Sequence, residues 1–235
     1  MTEIITCKNL ERKVSEVFTL GQVNLELNSG DSVALIGPNG AGKTTFFQLI
    51  TGNSDATAGE VQFKGEKFRP EYYLLKRQMG YVSQDINLPM WVTPNELLSY
   101  SAELHDIKNP KDKIAEQIAL WQIEPYKNRP IASCSHGMKK RAGLAVALLH
   151  DPELLILDEP FAGLDILHIK SLKETILNRK KAGKCTLVST HILPYASELC
   201  NKAFTIKDGQ VQEISSWASM EFKDQQTKIE SHFQN

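Results

Sequence analysis

Apolar and polar positions alternate strictly at 23–28. Val23, Leu25 and Leu27 are interleaved with Asn24, Glu26 and Asn28, which is the period of a half-buried strand. An earlier strand is read at residues 4–7. After a turn at Ser29-Gly30-Asp31, the unbroken apolar run 33–36 predicts a fully buried strand. That run enters a glycine-rich segment, and then Phe46, Phe47, Leu49 and Ile50 recur at helical spacing until Gly52. From about residue 85 to 150 the pattern is helical, with helices predicted at 95–105, 111–121 and 135–150. The breaks between them hold Pro94, Pro110, Pro125 and Pro130. Beyond Asp151-Pro152 the two periods alternate: strand 154–157, helix near 166–181, strand 185–189, helix near 193–200. Strands 203–206 and 211–214 then turn at Asp208-Gly209. The whole predicts an α/β core with antiparallel β elements near the N-terminus and a helical subdomain, about 85–150, inserted in the core. Residues 215–235 are polar with scattered Trp217, Met220, Phe222 and Phe233, and read as a weak terminal helix or a frayed tail.

Composition narrows the function classes. At 41% hydrophobic and 23% charged, the 235 residues can form an ordinary globular core. Lys and Arg total 27 against 28 Asp and Glu, so net charge gives no reason to bind DNA, RNA or anionic lipid, and no direct nucleic-acid partner is expected. The apolar runs 144–149 and 154–157 fall far short of the roughly 18–20 residues a bilayer span needs. Residues 1–13 lack the apolar centre of a signal peptide, which places the expected site of action in the cytoplasm. Cys7, Cys134, Cys185 and Cys200 form no C-x-x-C pair, and are expected to be reduced, apolar thiols.

Three strand ends carry candidate chemistry. Gly37-Pro38-Asn39-Gly40-Ala41-Gly42-Lys43-Thr44-Thr45 contains G-x-x-x-x-G-K-[ST] between a strand and a helix. Its glycines allow successive N–H groups to converge on phosphate oxygens at the helix N-terminus. Lys43 adds a cation for the β- and γ-phosphates, and the Thr44 hydroxyl can ligate Mg²⁺. The apolar run 154–157 ends in Asp158-Glu159. Ligands bind at the carboxyl edge of such sheets, so Asp158 is the candidate Mg²⁺ partner and Glu159 the group to polarise an attacking water. A third strand ends in Thr190-His191, which makes His191 a candidate γ-phosphate contact.

Further residues in order along the chain resemble ABC-type ATPases, a branch of the P-loop NTPases. They are Gln84 after Gly80-Tyr81-Val82-Ser83, Cys134-Ser135-His136-Gly137-Met138 heading a helix, Asp165 in Ala162-Gly163-Leu164-Asp165, and His191. The resemblance spans roughly 4–214 and implies the ATP-binding and hydrolysing subunit of an ABC transporter. The form Ser-x-Gly-Met-Lys is similar to the branch with many two-component exporters, so export is the implied direction. The resemblance also implies a head-to-tail pair with a second ATPase subunit, homo- or heterodimeric, in which Ser135 and Gly137 close over nucleotide held by the other subunit. Gln84 would touch Mg²⁺ or the lytic water, and Asp165 would act across the pair. The implied cofactors are ATP and Mg²⁺, and the implied location is peripheral, on the cytoplasmic face of a membrane beside an integral-membrane permease.

The chain departs from the family pattern at two places. Cys134, His136 and Met138 replace the Leu, first Gly and Gln of the commonest signature. Val14, with Arg12 and Phe18 nearby, stands where an aromatic residue usually meets adenine. Lys139, Lys140 and Arg141 oppose the dipole of their own helix and are read either as a solvated face or as a positive rim for a neighbour's nucleotide. Leu88, Pro89, Met90 and Trp91 are read either as subdomain core or as the seat of a permease helix. A soluble ABC-type ATPase acting on a nucleic-acid or protein complex is the alternative function, and a module that holds ATP without turnover is a third.

Overall fold

Runs of apolar residues without polar alternation form the centre of the molecule. The computed structural model describes residues 2–68 and 73–234. Residues 69–72, within the range 4–214 read above, and Met1 and Asn235 at the ends of the chain lie outside them. Strands β3 (Ser32–Ile36), β7 (Leu154–Asp158) and β8 (Cys185–Ser189) are buried at every position. They lie together in a six-stranded sheet of order β10-β9-β3-β8-β7-β6, where β6 is Met79–Val82, β9 Lys202–Lys207 and β10 Gln210–Glu213. All pairs are parallel except β9 with β10. Covered on both faces, such strands can be continuously apolar. Asp208 and Gly209 both take positive φ, 47° and 76°, as a two-residue turn between twisted strands requires.

The antiparallel expectation near the N-terminus holds and extends. Strand β1 (Glu3–Lys13) pairs with β2 (Thr19–Asn28) and with β4 (Ala58–Phe63), which carries the short β5 (Glu66–Lys67). β1 is longer than the predicted 4–7 because register shifts along it let polar residues pair without a strict alternation. β4 and β6 escape the pattern because β4 buries only Val61 and Phe63 and β6 is interrupted by Gly80.

Helix α1 (Lys43–Ile50) follows β3, and a short α2 (Tyr73–Lys76) precedes β6. Three helices form the insertion: α3 (Pro94–Leu104), α4 (Pro110–Leu120) and α5 (His136–Leu149). Pro94 and Pro110, expected in the breaks, are instead the first residues of α3 and α4, where a missing N–H costs nothing. Thr93 caps α3 in a reciprocal box with Glu96. Trp121, Ile123 and Tyr126 join Leu98, Leu144 and Leu148 in the core beneath these helices. Helices α6 (Ile166–Lys181) and α7 (Leu193–Leu199) complete the alternation.

The C-terminal segment is docked. Helix α8 (Phe222–Gln234) packs against β9, with Ile229 and Trp217 buried in the main core. Trp217 Nε1 donates to the Cys200 carbonyl at 3.2 Å, and Gln225 Nε2 donates to the Trp217 carbonyl at 2.9 Å. Scattered apolar residues gave no helical stripe strong enough to predict this. The four cysteines are buried and free, and burial pushes the Cys7, Cys185 and Cys200 thiols up to about 12. Among the described residues, no helix is long and apolar enough to cross a membrane. Trp217→Ala is expected to lower unfolding free energy by about 3–5 kcal/mol in denaturant titrations. A frayed tail would leave the midpoint where it was.

Candidate active site

Four neighbouring strands, β3, β8, β7 and β6, deliver polar residues at their carboxyl ends, so the candidate residues gather along one edge of the sheet. From β3 the chain enters the loop Gly37, Pro38, Asn39, Gly40, Ala41, Gly42. A side chain at Gly37 would meet the Ile206 carbonyl at 2.3 Å, and Gly42 takes φ 108°, a left-handed angle other residues resist. No side chain caps α1, so the N–H groups of its first turn remain available to an anion. Lys43 is buried and folds back, its Nζ donating to the carbonyls of Gly37 at 2.8 Å and Pro38 at 3.1 Å. Thr45 follows on α1, half-buried.

Across from the loop, the acids interlock. The Thr44 hydroxyl donates to Asp158 Oδ2 at 2.7 Å, and the Ser189 hydroxyl donates to Asp158 Oδ1 at 2.5 Å. Ser189 Oγ also accepts from the Glu159 N–H at 2.8 Å. The Glu159 carboxylate sits between two partners: Lys43 Nζ at 3.6 Å from Oε1, and His191 Nδ1 at 3.0 Å from Oε2. Among the described residues nothing hydrogen-bonds Glu159 Oε1, and the Glu159 backbone is at φ 44°. A buried carboxylate with an unbonded oxygen, on a strained residue, is held in place by its surroundings. Lys43, Thr44, Asp158, Glu159 and His191 therefore form one cluster. Gln84 is exposed and shares with Thr44 a cleft of about 890 Å³ between β6, α3 and α5.

The remaining candidates lie elsewhere. Ser135 caps α5, accepting from the Met138 N–H at 3.3 Å. A Cβ on Gly137 would lie 2.8 Å from the Gly163 carbonyl, so Gly137 permits the first turn of α5 to pack closely on the Gly163 loop. Asp165 caps α6 and accepts from His168 Nδ1 at 2.7 Å. Among the described residues, no hydrogen bond or ion pair joins Ser135, Gly137 or Asp165 to the phosphate loop. Of the other residues weighed, Arg12 donates to the Asp55 carbonyl, Phe18 packs over Gly42, and Val14 is 53% exposed.

The positive rim requires correction. Lys140 has no exposed surface, and Arg141 donates to the carbonyls of Trp121 and Gln122 and to His168 Nε2, each at 3.1 Å. Two of the three charges point inward, which leaves Lys139 alone on that rim. Burial pushes the Lys140 ammonium down to about 8, against the pull of Asp158, Glu159 and Asp85. Sequence reading missed Ser189 and the inward Lys140. Their signals were a polar residue closing a buried strand, and a lysine four residues before Leu144 and eight before Leu148 on an apolar helix stripe.

A family model described as ABC transporter matches residues 20–162. The chain belongs to the ABC transporter family. It is an ATP-binding subunit with an ATP-hydrolysing domain. It is 36% identical over 208 residues to YxlF of Bacillus subtilis (strain 168), an uncharacterized ABC transporter ATP-binding protein, covering 87% of this chain and 67% of YxlF. SsuB of Bacillus thuringiensis subsp. konkukian (strain 97-27), named as an aliphatic sulfonates import ATP-binding protein, is 29% identical over 239 residues. That match covers 97% of this chain and 93% of SsuB. The ATP-binding cassette MJ0796, solved as a dimer in a post-hydrolysis state with ADP and Pi, superposes with a TM-score of 0.80. At 23% identity, over 89% of this chain and 98% of that one, it shares the fold.

In this ABC ATPase, Ser189→Ala strips a hydrogen bond from the buried Asp158 carboxylate and the Glu159 N–H together. Hydrolysis is expected to slow by about 10- to 100-fold with ATP affinity kept within about 3-fold, in steady-state and binding assays.

Proposed function

We propose that this subunit performs Mg²⁺-dependent ATP hydrolysis in a pair with a second ATPase subunit, and so energises transport through a separate integral-membrane permease. The observation that carries the reading is the Glu159 carboxylate set between Lys43 and His191, one residue beyond the Thr44–Asp158 contact. Glu159 orients a water for attack on the γ-phosphorus and accepts its proton as the bond to the ADP oxygen breaks. Lys43 exchanges the carbonyls of Gly37 and Pro38 for phosphate oxygens, and His191 steadies Glu159 and reaches the transferred phosphate.

The residues present fit Mg²⁺. Thr44 Oγ1 and Asp158 Oδ2 are oxygen donors 2.7 Å apart, and oxygen donors of this kind suit a small hard cation, with Gln84 close by in the shared cleft. When bound, the cation neutralises charge on the β- and γ-phosphates. The loop residues Gly37, Pro38, Asn39, Gly40, Ala41, Gly42 and Thr45 wrap the nucleotide. Ser135, Gly137 and Asp165 serve the site of the second subunit, a role supported by the lack, among the described residues, of any bond from them to the phosphate loop of their own chain. We assign the ATPase domain to 1–214, with the helical subdomain at about 85–150, and 215–235 to a C-terminal tail whose helix α8 docks on that domain.

The permease would seat beside Trp91, which is 82% exposed, and Met90, at 44%. Core packing, the other reading of this group, does not suit side chains so exposed. The cleft lined by Leu88, Leu97, Tyr100 and Leu104 continues the apolar surface. The subunit then works at the cytoplasmic face of the membrane as a peripheral protein. The direction we propose is export, on the Ser-His-Gly-Met-Lys form of residues 135–139. A relative named for import, SsuB, makes direction the first property to assay in reconstituted vesicles.

Glu159→Gln is expected to trap an ATP-bound pair, seen as an ATP-dependent dimer in size-exclusion chromatography with turnover lost. A monomeric, fully active variant would refute the assignment. Trp91→Glu is expected to abolish copurification with a multispanning membrane protein while ATP binding and the denaturation midpoint stay unchanged. Loss of folding would return Trp91 to the core, and copurification of wild type with a soluble complex alone would favour the nucleic-acid or protein-complex role.

A further inference from the structure

Lys140 lies on α5 among Ala142, Leu144, Ala145 and Leu148, and no part of it is exposed. Its ammonium donates to two carbonyl oxygens on separate loops: Ser83 at 3.4 Å and Glu159 at 3.3 Å. Among the described residues, no carboxylate lies within ion-pair distance of it. Burying an ammonium against neutral acceptors is costly, and a methionine of similar length would fill the space without that cost. Stability alone does not explain a lysine here.

Each loop it touches leads to the site. Ser83 precedes Gln84 and opens the segment from β6 into the helical insertion. Glu159 follows β7 at φ 44°, and its peptide groups are held from both directions: the N–H by Ser189 Oγ, the carbonyl by Lys140 and by the Ala162 N–H at 3.4 Å. Lys140 is five residues beyond Ser135, or about 7.5 Å along the helix axis. A shift or rotation of α5 at its Ser135 end therefore moves the ammonium that holds the Glu159 carbonyl.

We propose that Lys140 is a positioning residue, through which the placement of the Ser135 helix sets the aim of the Glu159 carboxylate. This deepens, and rests on, the reading of Glu159 as the group that activates water. Without the ammonium, the Glu159 peptide is free to leave its left-handed conformation and the carboxylate turns away from the line of attack. The nucleotide contacts of the phosphate loop are untouched.

The test uses the full-length chain with Lys140→Met, Lys140→Arg and Glu159→Gln. For Lys140→Met, kcat is expected to fall by about 10-fold or more, with KM and ATP affinity within about 3-fold and the denaturation midpoint unchanged or raised. Lys140→Arg, which keeps the donors, is expected to recover most of kcat. In single-turnover assays, adding Lys140→Met to Glu159→Gln is expected to slow the residual reaction no further, because the lysine acts through that carboxylate. Wild-type kcat in Lys140→Met overturns the proposal. So does a loss of kcat that tracks a lowered midpoint, or one that multiplies fully with Glu159→Gln. If Lys140→Met fails to fold, Lys140→Arg decides alone: a folded Arg variant with kcat down tenfold at unchanged KM overturns it, and near wild-type kcat supports it. Should Glu159→Gln itself turn over at the wild-type rate, the reading of Glu159 falls, whatever the lysine variants do.

Discussion

Where β7 pairs with β8, Asp158 stands opposite Ser189, and where β3 pairs with β8, Leu35 stands opposite the same serine. These ladders place the phosphate loop, the acids and His191 on adjacent strand ends about 5 Å apart. The arrangement tolerates no slip. Shifting β7 by one residue would turn Asp158 to the opposite face and put an apolar residue against Ser189. The unbroken burial of 154–158 and 185–189 is what enforces the register, because any other pairing would still have to bury the same carboxylate without a partner. Much of the site's chemistry thus depends on backbone hydrogen bonds that never meet the nucleotide.

The cluster built on that register is electrostatically closed within the single chain. Lys43 is held by its own loop and by Glu159, and Thr44 spends its proton on Asp158. Each group has a partner that phosphate or a cation can replace, so binding exchanges one satisfied network for another and leaves no buried charge stranded in either state. Glu159 is the exception, with a strained backbone and an unbonded Oε1. Strain persists only where surroundings over-determine it, and here Ser189, Lys140, Lys43 and His191 supply the constraint.

The helical insertion meets this core through few polar links. Arg141 joins it to His168 and hence to the Asp165 cap, and Lys140 joins it to Ser83 and Glu159. Close packing of Gly137 on Gly163 adds a steric contact. Movement of α5 would accordingly be felt at the Asp165 loop and at Glu159 together.

Much of this was legible in the chain. The buried strands 33–36, 154–157 and 185–189 were visible because a strand covered on both faces must be apolar throughout. The phosphate loop was visible because only closely spaced glycines allow N–H groups to converge, and the acids and His191 because each ends such a strand. Helices α3 to α5 were legible from their period and prolines. The sequence could not say which way Lys140 and Arg141 point, since charge is normally read as exposure and only the packing of α5 against β6 and α4 turned them inward. Ser189 carried no signal of its own until register set it against Asp158. The docking of α8 likewise depended on a groove that exists only after β9 and α7 have folded. Periodicity and motif are properties of neighbours in the chain; the partners of a buried polar group are chosen by neighbours in space.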